Sequence, residues 1–448
     1  FRNGNEVPLY VTSSGQFGPS DFIEFYGEKN DGKPDSLLYK DPSHQPNNQV
    51  SLFSDTTTFF LTIDGFSINK RMTQQANDIT ILLPEQESYC YFTSSILPSS
   101  LSYGTPISPF YPQLYNSDFD IGEGFYTITL GNPFSLSILS IKYPYINPSV
   151  NAYYHSKVYL PSTSSGNLHR LRVFLNSFDT TETIFGPIVK TSNYTVNSTN
   201  LGNDGAPFSY QELIPAQVNK DLFISATLEY PRFFNADNLT KINFGIKKNS
   251  DIYFEFKNFN SQGTNPVLYD LDNNRRYVGF VDSVVKFHLG ESLKNRDNLY
   301  MSSQSSSDIL SVGTISPIVF NNFSEVNRQG DYLIITNKKL KNSVNGTDYI
   351  EAYKSYRSTN QGGGFVAKVF YIDEIYDQFG FGIPQNPLAI RNFINYVIGK
   401  YTIKPKMVFI MGKGFEYTTF FRNQSLIDKS LVPTYGLPAS DNLLTARS

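Results

Sequence analysis

The sequence predicts a multidomain chain: two β-sandwich-like regions followed by an α/β segment with parallel strands. Three observations lead there. Up to about residue 325, short apolar runs of period two alternate with Gly, Asn and Asp turn signals, the pattern of half-buried strands. From residue 327 the pattern becomes strand, helix, strand, helix, strand, with apolar residues recurring at helical spacing. The composition agrees, because 31 Tyr and 37 Phe among 448 residues suit pleated surfaces. That length gives roughly three domains at about 150 residues each. The expected divisions are 1–145, 146–326 and 327–448.

In the first region, Asp21 to Tyr26 reads as a strand ending at Gly27, and Asn30-Asp-Gly32 as a tight turn. Asp31 and Asp35 are expected to punctuate a hairpin. Thr58 to Ile63 reads as a strand closed by Asp64-Gly65, and Phe125 to Leu130 as another closed by Gly131-Asn132. Residues 96–117, rich in Pro, Ser and Tyr, are expected to form a long loop. Turn residues Pro144, Asn147 and Pro148 mark the first boundary.

The second region carries clearer alternation. Leu171, Val173 and Leu175 share one face of a strand over 168–175. Leu222, Ile224, Ala226 and Leu228 share one face over 222–230. Ile252, Phe254 and Phe256 are expected to point inward, with Glu255 and Lys257 outward. Residues 302–311 are Ser-rich and read as a loop.

In the third region the strands are Tyr332 to Thr336, Phe365 to Ile372 and Lys406 to Met411. The cores Leu333 to Ile335 and Val408 to Met411 are continuously apolar, as in central strands covered on both faces. A helix is expected from Asp348 through Ile350, Tyr353 and Tyr356, ended by Gly362-Gly-Gly364. A second begins at Asn386-Pro387, a cap followed by proline. Ile390, Phe393, Ile394, Val397 and Ile398 form its apolar stripe, with Asn395 and Lys400 off it. Strands joined by helices imply right-handed βαβ units and a parallel sheet.

Net charge is -3 and charged residues make up 17% of the chain, so no basic field favours nucleic acid. One cysteine, Cys90, excludes an internal disulfide. No run approaches the roughly 18 apolar residues that span a bilayer. The chain starts at Phe1 with no signal-peptide pattern, as expected of a processed or trimmed product.

Few residues suggest chemistry directly. Gly412-Lys-Gly414 follows a parallel strand, where α/β folds place ligand sites, but its spacing is not that of a phosphate loop; a turn or site rim is expected. Asp118, Asp120 and Glu123 could hold calcium, although no twelve-residue calcium loop is present. No cofactor is otherwise expected. His44, His155, His169 and His288 all precede the α/β segment and lack metal-site spacing, so they are expected to be surface or packed residues. Cys90, between Tyr89 and Tyr91, is expected to be a buried apolar residue. No Gly-x-Ser-x-Gly elbow occurs.

A family resemblance adds to this. Asp331-Tyr-Leu-Ile-Ile-Thr336, Ala352-Tyr-Lys-Ser-Tyr356 and Val369-Phe-Tyr-Ile-Asp-Glu-Ile-Tyr-Asp-Gln-Phe379 resemble the opening of gingipain-type (C25) cysteine peptidases. Ala389-Ile-Arg-Asn-Phe-Ile394, Lys404-Pro-Lys-Met-Val-Phe-Ile-Met-Gly412, Val432-Pro-Thr-Tyr435 and Ser440-Asp-Asn-Leu-Leu444 continue the series. At the front, Gly4-Asn-Glu-Val-Pro8, Asp21 to Gly27, and Leu52-Phe-Ser-Asp-Thr-Thr57 leading into Phe60-Leu61 resemble the amino-terminal β region of the PorU-like branch. These are sortase-like members of the type IX secretion system of Bacteroidetes.

The resemblance implies a caspase-like fold from 327 onward. It also implies cleavage of carboxy-terminal secretion signals, attachment of cargo to a surface anchor, and an exported location at the outer membrane or cell surface. The implied partners are protein substrates with such signals and other type IX secretion components. Such enzymes use a His and a Cys nucleophile. Both are expected beyond Ser448, so the chain alone is expected to be inactive. Lys413 stands where many relatives have an acidic residue; it and Asp441 are candidates for the rim of the site. The rival reading is a non-catalytic β-rich surface or scaffold module.

Overall fold

The computed structural model describes residues 1–13, 15–63, 65, 69–103, 115–129, 139–161, 167–202, 208–214, 221–341, 345–422 and 424–445. It is β-rich, with several sheets and a short run of helices near the carboxyl end. Asp64, half of the predicted 96–117 loop (residues 104–114), and Leu130 with the turn Gly131-Asn132 lie outside the described residues.

The first region contributes β1 (Tyr10–Val11), β2 (Ile23–Glu24), β3 (Thr73–Gln75), β4 (Cys90–Ile96), β5 (Ser100–Ser102), β6 (Gly124–Tyr126) and β7 (Ile128–Thr129). Much of it is irregular. Only Ile23–Glu24 of the predicted 21–26 strand pairs, with β1. Asn30 to Gly32 makes no hairpin: the Asn30 amide bonds to the Asp55 carbonyl (2.9 Å) and the Gly32 amide to that of Asn48 (3.1 Å), pinning the segment to a distant stretch. Asp35 sits inside a 3-10 turn, Pro34–Leu38, and is buried. Residues 58–63 lie in no strand, and Phe60 exchanges backbone bonds with the terminal residue Phe1. The predicted 125–130 strand is divided at Thr127 between two partners, since β6 pairs with β5 and β7 with β13.

The second region supplies β8 (Asn151–Leu160), β9 (Leu168–Leu175), β10 (Phe178–Phe185), β11 (Ile188–Asn197), β12 (Ser209–Glu212), β13 (Leu222–Arg232) and β14 (Lys241–Ile246). It continues with β15 (Ile252–Phe256), β16 (Val267–Asp270), β17 (Arg275–Val278), β18 (Phe280–Val281), β19 (Val285–Leu289) and β20 (Arg296–Ser302). Among the described residues a ten-stranded sheet runs β11-β8-β13-β4-β14-β20-β16-β17-β3, with β7 alongside β13. Smaller sheets are β10-β9-β12 and β15-β19-β18.

Hydrogen bonding is therefore continuous across residue 145. β4 lies between β13 and β14, and its Cys90 and Phe92, on one face, join the apolar core of the second region. The alternating strands bury the expected residues: Leu171, Val173 and Leu175, then Ile252, Phe254 and Phe256. In β13 the register shifts between Phe223 and Ser225, which puts both Phe223 and Ile224 in buried positions. An inserted residue of this kind breaks the period of two. Phe234, Phe244, Phe254 and Phe256 close this core, with Phe244 and Phe256 rings 4.8 Å apart.

The third region holds β21 (Tyr332–Thr336), α1 (Tyr349–Ser358), β22 (Ala367–Tyr371), α2 (Ile372–Phe379), α3 (Leu388–Lys400), β23 (Met407–Met411), α4 (Tyr417–Arg422) and α5 (Asn442–Thr445). The three strands are parallel, in the order β22-β21-β23, with Tyr332 opposite Ala367 and Met407. Asp348 caps α1 by accepting the Ile350 and Glu351 amides. Past its end, Gly362 lies where a Cβ would come within 1.8 Å of the Tyr356 carbonyl oxygen, so the chain can fold back there only as glycine. Helix α3 starts one residue later than expected, with Pro387 at the cap position; the Asn386 side chain just before it accepts the Leu388 amide (3.0 Å), and Ile390, Phe393, Ile394 and Val397 are buried.

Two expectations change here. Helix α2 begins where β22 ends, a turn not separable from the strand by its apolar pattern. And β23 is not covered on both faces: every residue of β21 is buried, whereas Met407 is 48% and Phe409 37% exposed. β23 pairs only with β21 among the described residues, which makes it an edge.

The α/β core extends well beyond 327. Leu38, Leu52, Phe53, Phe119, Phe125 and Phe323 pack into it beside Leu333, Phe370 and Phe393. The front of the chain thus completes the core of its last region.

Candidate active-site rim

The carboxyl ends of β21, β22 and β23 form one edge of the parallel sheet. Asp331 organises the opposite edge: its carbonyl accepts the Lys406 and Met407 amides, and its carboxylate takes the Val366 amide (2.7 Å) and the Lys406 ammonium (2.9 Å). Burial works against the charge there, but Lys406 and the Val366 amide hold the carboxyl below its usual range. Strand ends are thereby held in register, which aims all three carboxyl ends to the same side.

At that side Thr336 donates to the Met411 carbonyl (2.9 Å), joining β21 to β23. Asn337 caps a short 3-10 turn through the Lys339 amide and donates to the Leu431 carbonyl (2.9 Å). The segment 430–434 then runs along the Gly412–Phe415 turn. Leu431 N donates to the Lys413 carbonyl (2.9 Å), Phe415 N to the Ser430 hydroxyl (3.1 Å), and the Thr434 hydroxyl to the Phe415 carbonyl (3.0 Å). A Cβ on Gly414 would lie 2.5 Å from the Val432 carbonyl oxygen, so glycine permits this approach. The Gly412–Phe415 turn is thus tied to a neighbouring chain segment through the Lys413 carbonyl and the Phe415 amide and carbonyl.

Lys413 is exposed, its ammonium 5.8 Å from the Phe415 ring centre. Asp441 is exposed at the start of α5, and its carbonyl accepts the Leu444 amide. No hydrogen bond or ion pair joins these two among the described residues. What holds α5 in place is Arg391 of α3, which stacks 4.5 Å over the Tyr435 ring and donates to the Leu443 (3.1 Å) and Leu37 (3.3 Å) carbonyls.

The acidic candidates near residue 120 do different work from one another. Asp118 pairs with Lys40 (2.7 Å). Glu123 is buried: one oxygen accepts the Asp120 amide (3.0 Å) and the other the Tyr417 hydroxyl of α4 (2.7 Å). Burial pushes its carboxyl up to about 8 in spite of these bonds. Both Glu123 oxygens therefore already have donors.

Cys90 is fully buried in β4, 3.7 Å from the Arg232 carbonyl, and burial pushes its thiol well above the usual range. A thiol so placed is not a nucleophile. His155 bonds to Asn193 and His288 to Asp251 and the Asp78 carbonyl; His44 lies 4.0 Å from Asp41. No histidine bonds to Cys90 among the described residues. His169 is not a simple packed residue, because it meets Glu212 and Asp221 in the interior. Neither that group nor the Glu123–Tyr417 tie leaves a spacing signal, since their members are distant in sequence.

Residues 325–447 match the profile of peptidase family C25. The gingipain-type resemblance is thereby borne out for the α/β segment. Across the whole chain the fold is similar to that of dimeric latent PorU from Porphyromonas gingivalis, with a TM-score of 0.52 at 11% identity, covering 98% of this chain and 40% of that one. The chain thus spans 40% of the length of the PorU chain it matches, and at that identity the likeness concerns fold. A ruminal endo-β-1,4-mannanase also aligns, over 33% of this chain and 28% of its own at 12% identity, but its TM-score of 0.19 carries no argument. No curated protein matches the sequence. No helix among the described residues is long and apolar enough to cross a membrane.

Proposed function

We propose that this chain is the β-rich leading part, with the first portion of a caspase-like peptidase domain, of a sortase-like cysteine peptidase of the type IX secretion system. Such a protein removes carboxy-terminal secretion signals from exported proteins and passes them to a surface anchor, at the outer membrane or cell surface. The observation that carries this is the parallel sheet β22-β21-β23, which lies inside the family C25 match and on a PorU-like fold. The sheets ahead of it are read as sandwich-like supports.

Within this reading the edge built by Thr336, Asn337 and the Gly412–Phe415 turn is the rim of the peptidase site. Lys413 and Asp441 border it and take no part in bond breaking. No residue of this chain is assigned as nucleophile or as its base. In the parent enzyme a histidine would take the proton of a cysteine thiol, and the thiolate would attack the carbonyl before the secretion signal.

Deletion of the encoding gene in the cell that makes the protein tests this. Exported proteins should then keep their carboxy-terminal signals, as read by mass spectrometry of surface and medium fractions. Normal trimming in the deletion strain would reject the reading and favour a non-catalytic surface module.

A further inference from the structure

His169, Glu212 and Asp221 form the one group of three metal-ligating side chains that converges among the described residues. They are 2%, 3% and 1% exposed. His169 lies on β9 and Glu212 ends β12, two strands paired in the three-stranded sheet. Asp221 immediately precedes β13, in the ten-stranded sheet. The group therefore bridges two sheets.

The hydrogen bonds around it define the tautomer. His169 Nε2 is 3.0 Å from the Pro161 carbonyl oxygen, which can only accept, so Nε2 carries a proton. Nδ1 then faces the carboxylates, 3.5 Å from Asp221 Oδ1 and 3.8 Å from Glu212 Oε2. A backbone carbonyl on one ring nitrogen, leaving the other bare, is the usual support of a metal-bound histidine.

The carboxylates are incompletely satisfied. Glu212 Oε1 accepts the Arg170 (3.0 Å) and Ile214 (2.8 Å) amides, which aims Oε2 inward. Oε2 and both Asp221 oxygens accept no hydrogen bond, although all three are buried. Buried carboxylate oxygens without donors are costly. An imidazolium between them would need N–H···O bonds to the carboxylates, and 3.5 to 3.8 Å is too long for them. Around a tetrahedral ion with bonds of about 2.0–2.1 Å, ligand atoms stand roughly 3.3–3.4 Å apart; the two distances from His169 Nδ1 approach this, and the ligand atoms of all three residues lie within 4.8 Å of one another. A neutral imidazole, two carboxylates and a divalent ion also sum to zero charge. Calcium prefers an all-oxygen shell, so the imidazole selects a borderline ion.

We propose that His169 Nδ1, Glu212 Oε2 and Asp221 bind a divalent transition-metal ion, zinc by ligand type, as a structural link between the two sheets. With one cysteine the chain has no internal disulfide to make such a link. The site is independent of the peptidase reading.

The 448-residue chain, stripped with a chelator and dialysed against zinc chloride, is assayed by elemental mass spectrometry and thermal unfolding. One zinc per chain should remain, and zinc should raise the melting temperature by a few degrees, reversed by chelator. Glu212→Gln and Asp221→Asn should each abolish zinc retention and the shift, while His155→Gln, at an exposed histidine, should retain both. Cobalt substituted into the unaltered chain should give the visible bands of a four-coordinate site without thiolate charge transfer, a readout that does not depend on the variants folding. Absence of retained zinc and of any shift in the unaltered chain would overturn the proposal, as would equal retention by Glu212→Gln and Asp221→Asn.

Discussion

Asp35 shows how far burial can move one side chain. It accepts the Leu52 amide at 2.7 Å inside a closed turn, yet burial pushes its carboxyl up from about 3.8 to about 7, with Asp31 adding to the rise. Because the folded value lies above the unfolded one, the folded chain holds this proton more tightly. The stabilisation is complete below about 3.8 and is lost as pH rises to about 7. Asp35→Asn keeps an acceptor for Leu52 without the charge. It should unfold at higher denaturant than the unaltered chain at mildly alkaline pH, by roughly 1–3 kcal/mol, with the gap closing toward pH about 4. A gap that widens on acidification would contradict the assignment. Cys90 is the second case at this scale. A thiol-directed peptidase probe should leave it unlabelled in the folded chain and label it after denaturation; labelling of the folded chain would show that β4 is not buried as described.

Among the elements, α3 and β23 mark opposite cases. The α3 stripe is buried, and Phe393 touches Phe323, Phe370 and Phe379 at ring distances of 4.9–5.4 Å. Phe393→Ala should cost about 3–5 kcal/mol in denaturant unfolding, whereas Asn395→Ala, on the exposed face, should stay within about 0.5 kcal/mol. Equal effects would mean the helix is turned differently. β23 has an equally apolar sequence but lies at an edge. A hydrophobic edge is a template for association. Met407→Lys should reduce self-association in sedimentation experiments while leaving the unfolding midpoint nearly unchanged; a large loss of stability would show that this face is covered.

At the scale of the whole molecule, the front of the chain is part of the α/β core. Tyr417 of α4 reaches Glu123, and Tyr435 donates to the Leu38 carbonyl. Phe119 packs tilted against Tyr417 and edge-on against Tyr435, with ring centres 5.6 and 5.5 Å apart. Tyr417→Phe leaves a Glu123 oxygen buried without its donor, which should cost about 1–3 kcal/mol. The same change should speed limited proteolysis near residue 120 without altering cleavage within β8–β13. Unchanged proteolysis would mean that the aromatic contacts alone hold the two ends together.

Local periodicity was enough to find what depends on neighbours in sequence. The strands over 168–175, 252–256 and 332–336, the cap at Asp348 and the stripe of α3 are written in spacings of two, or three and four, residues. So is the ordered series of motifs that points to the C25 segment. Pairing and burial are not written that way. Whether β23 is central or edge, whether β4 belongs to the first region or completes a sheet of the second, and whether Asp35 marks a turn or lies inside one depends on segments far along the chain. The same holds for Glu123 with Tyr417 and for His169 with Glu212 and Asp221. Each such group is set by long-range contacts that close only when the sheets assemble, so no spacing in the sequence announces them.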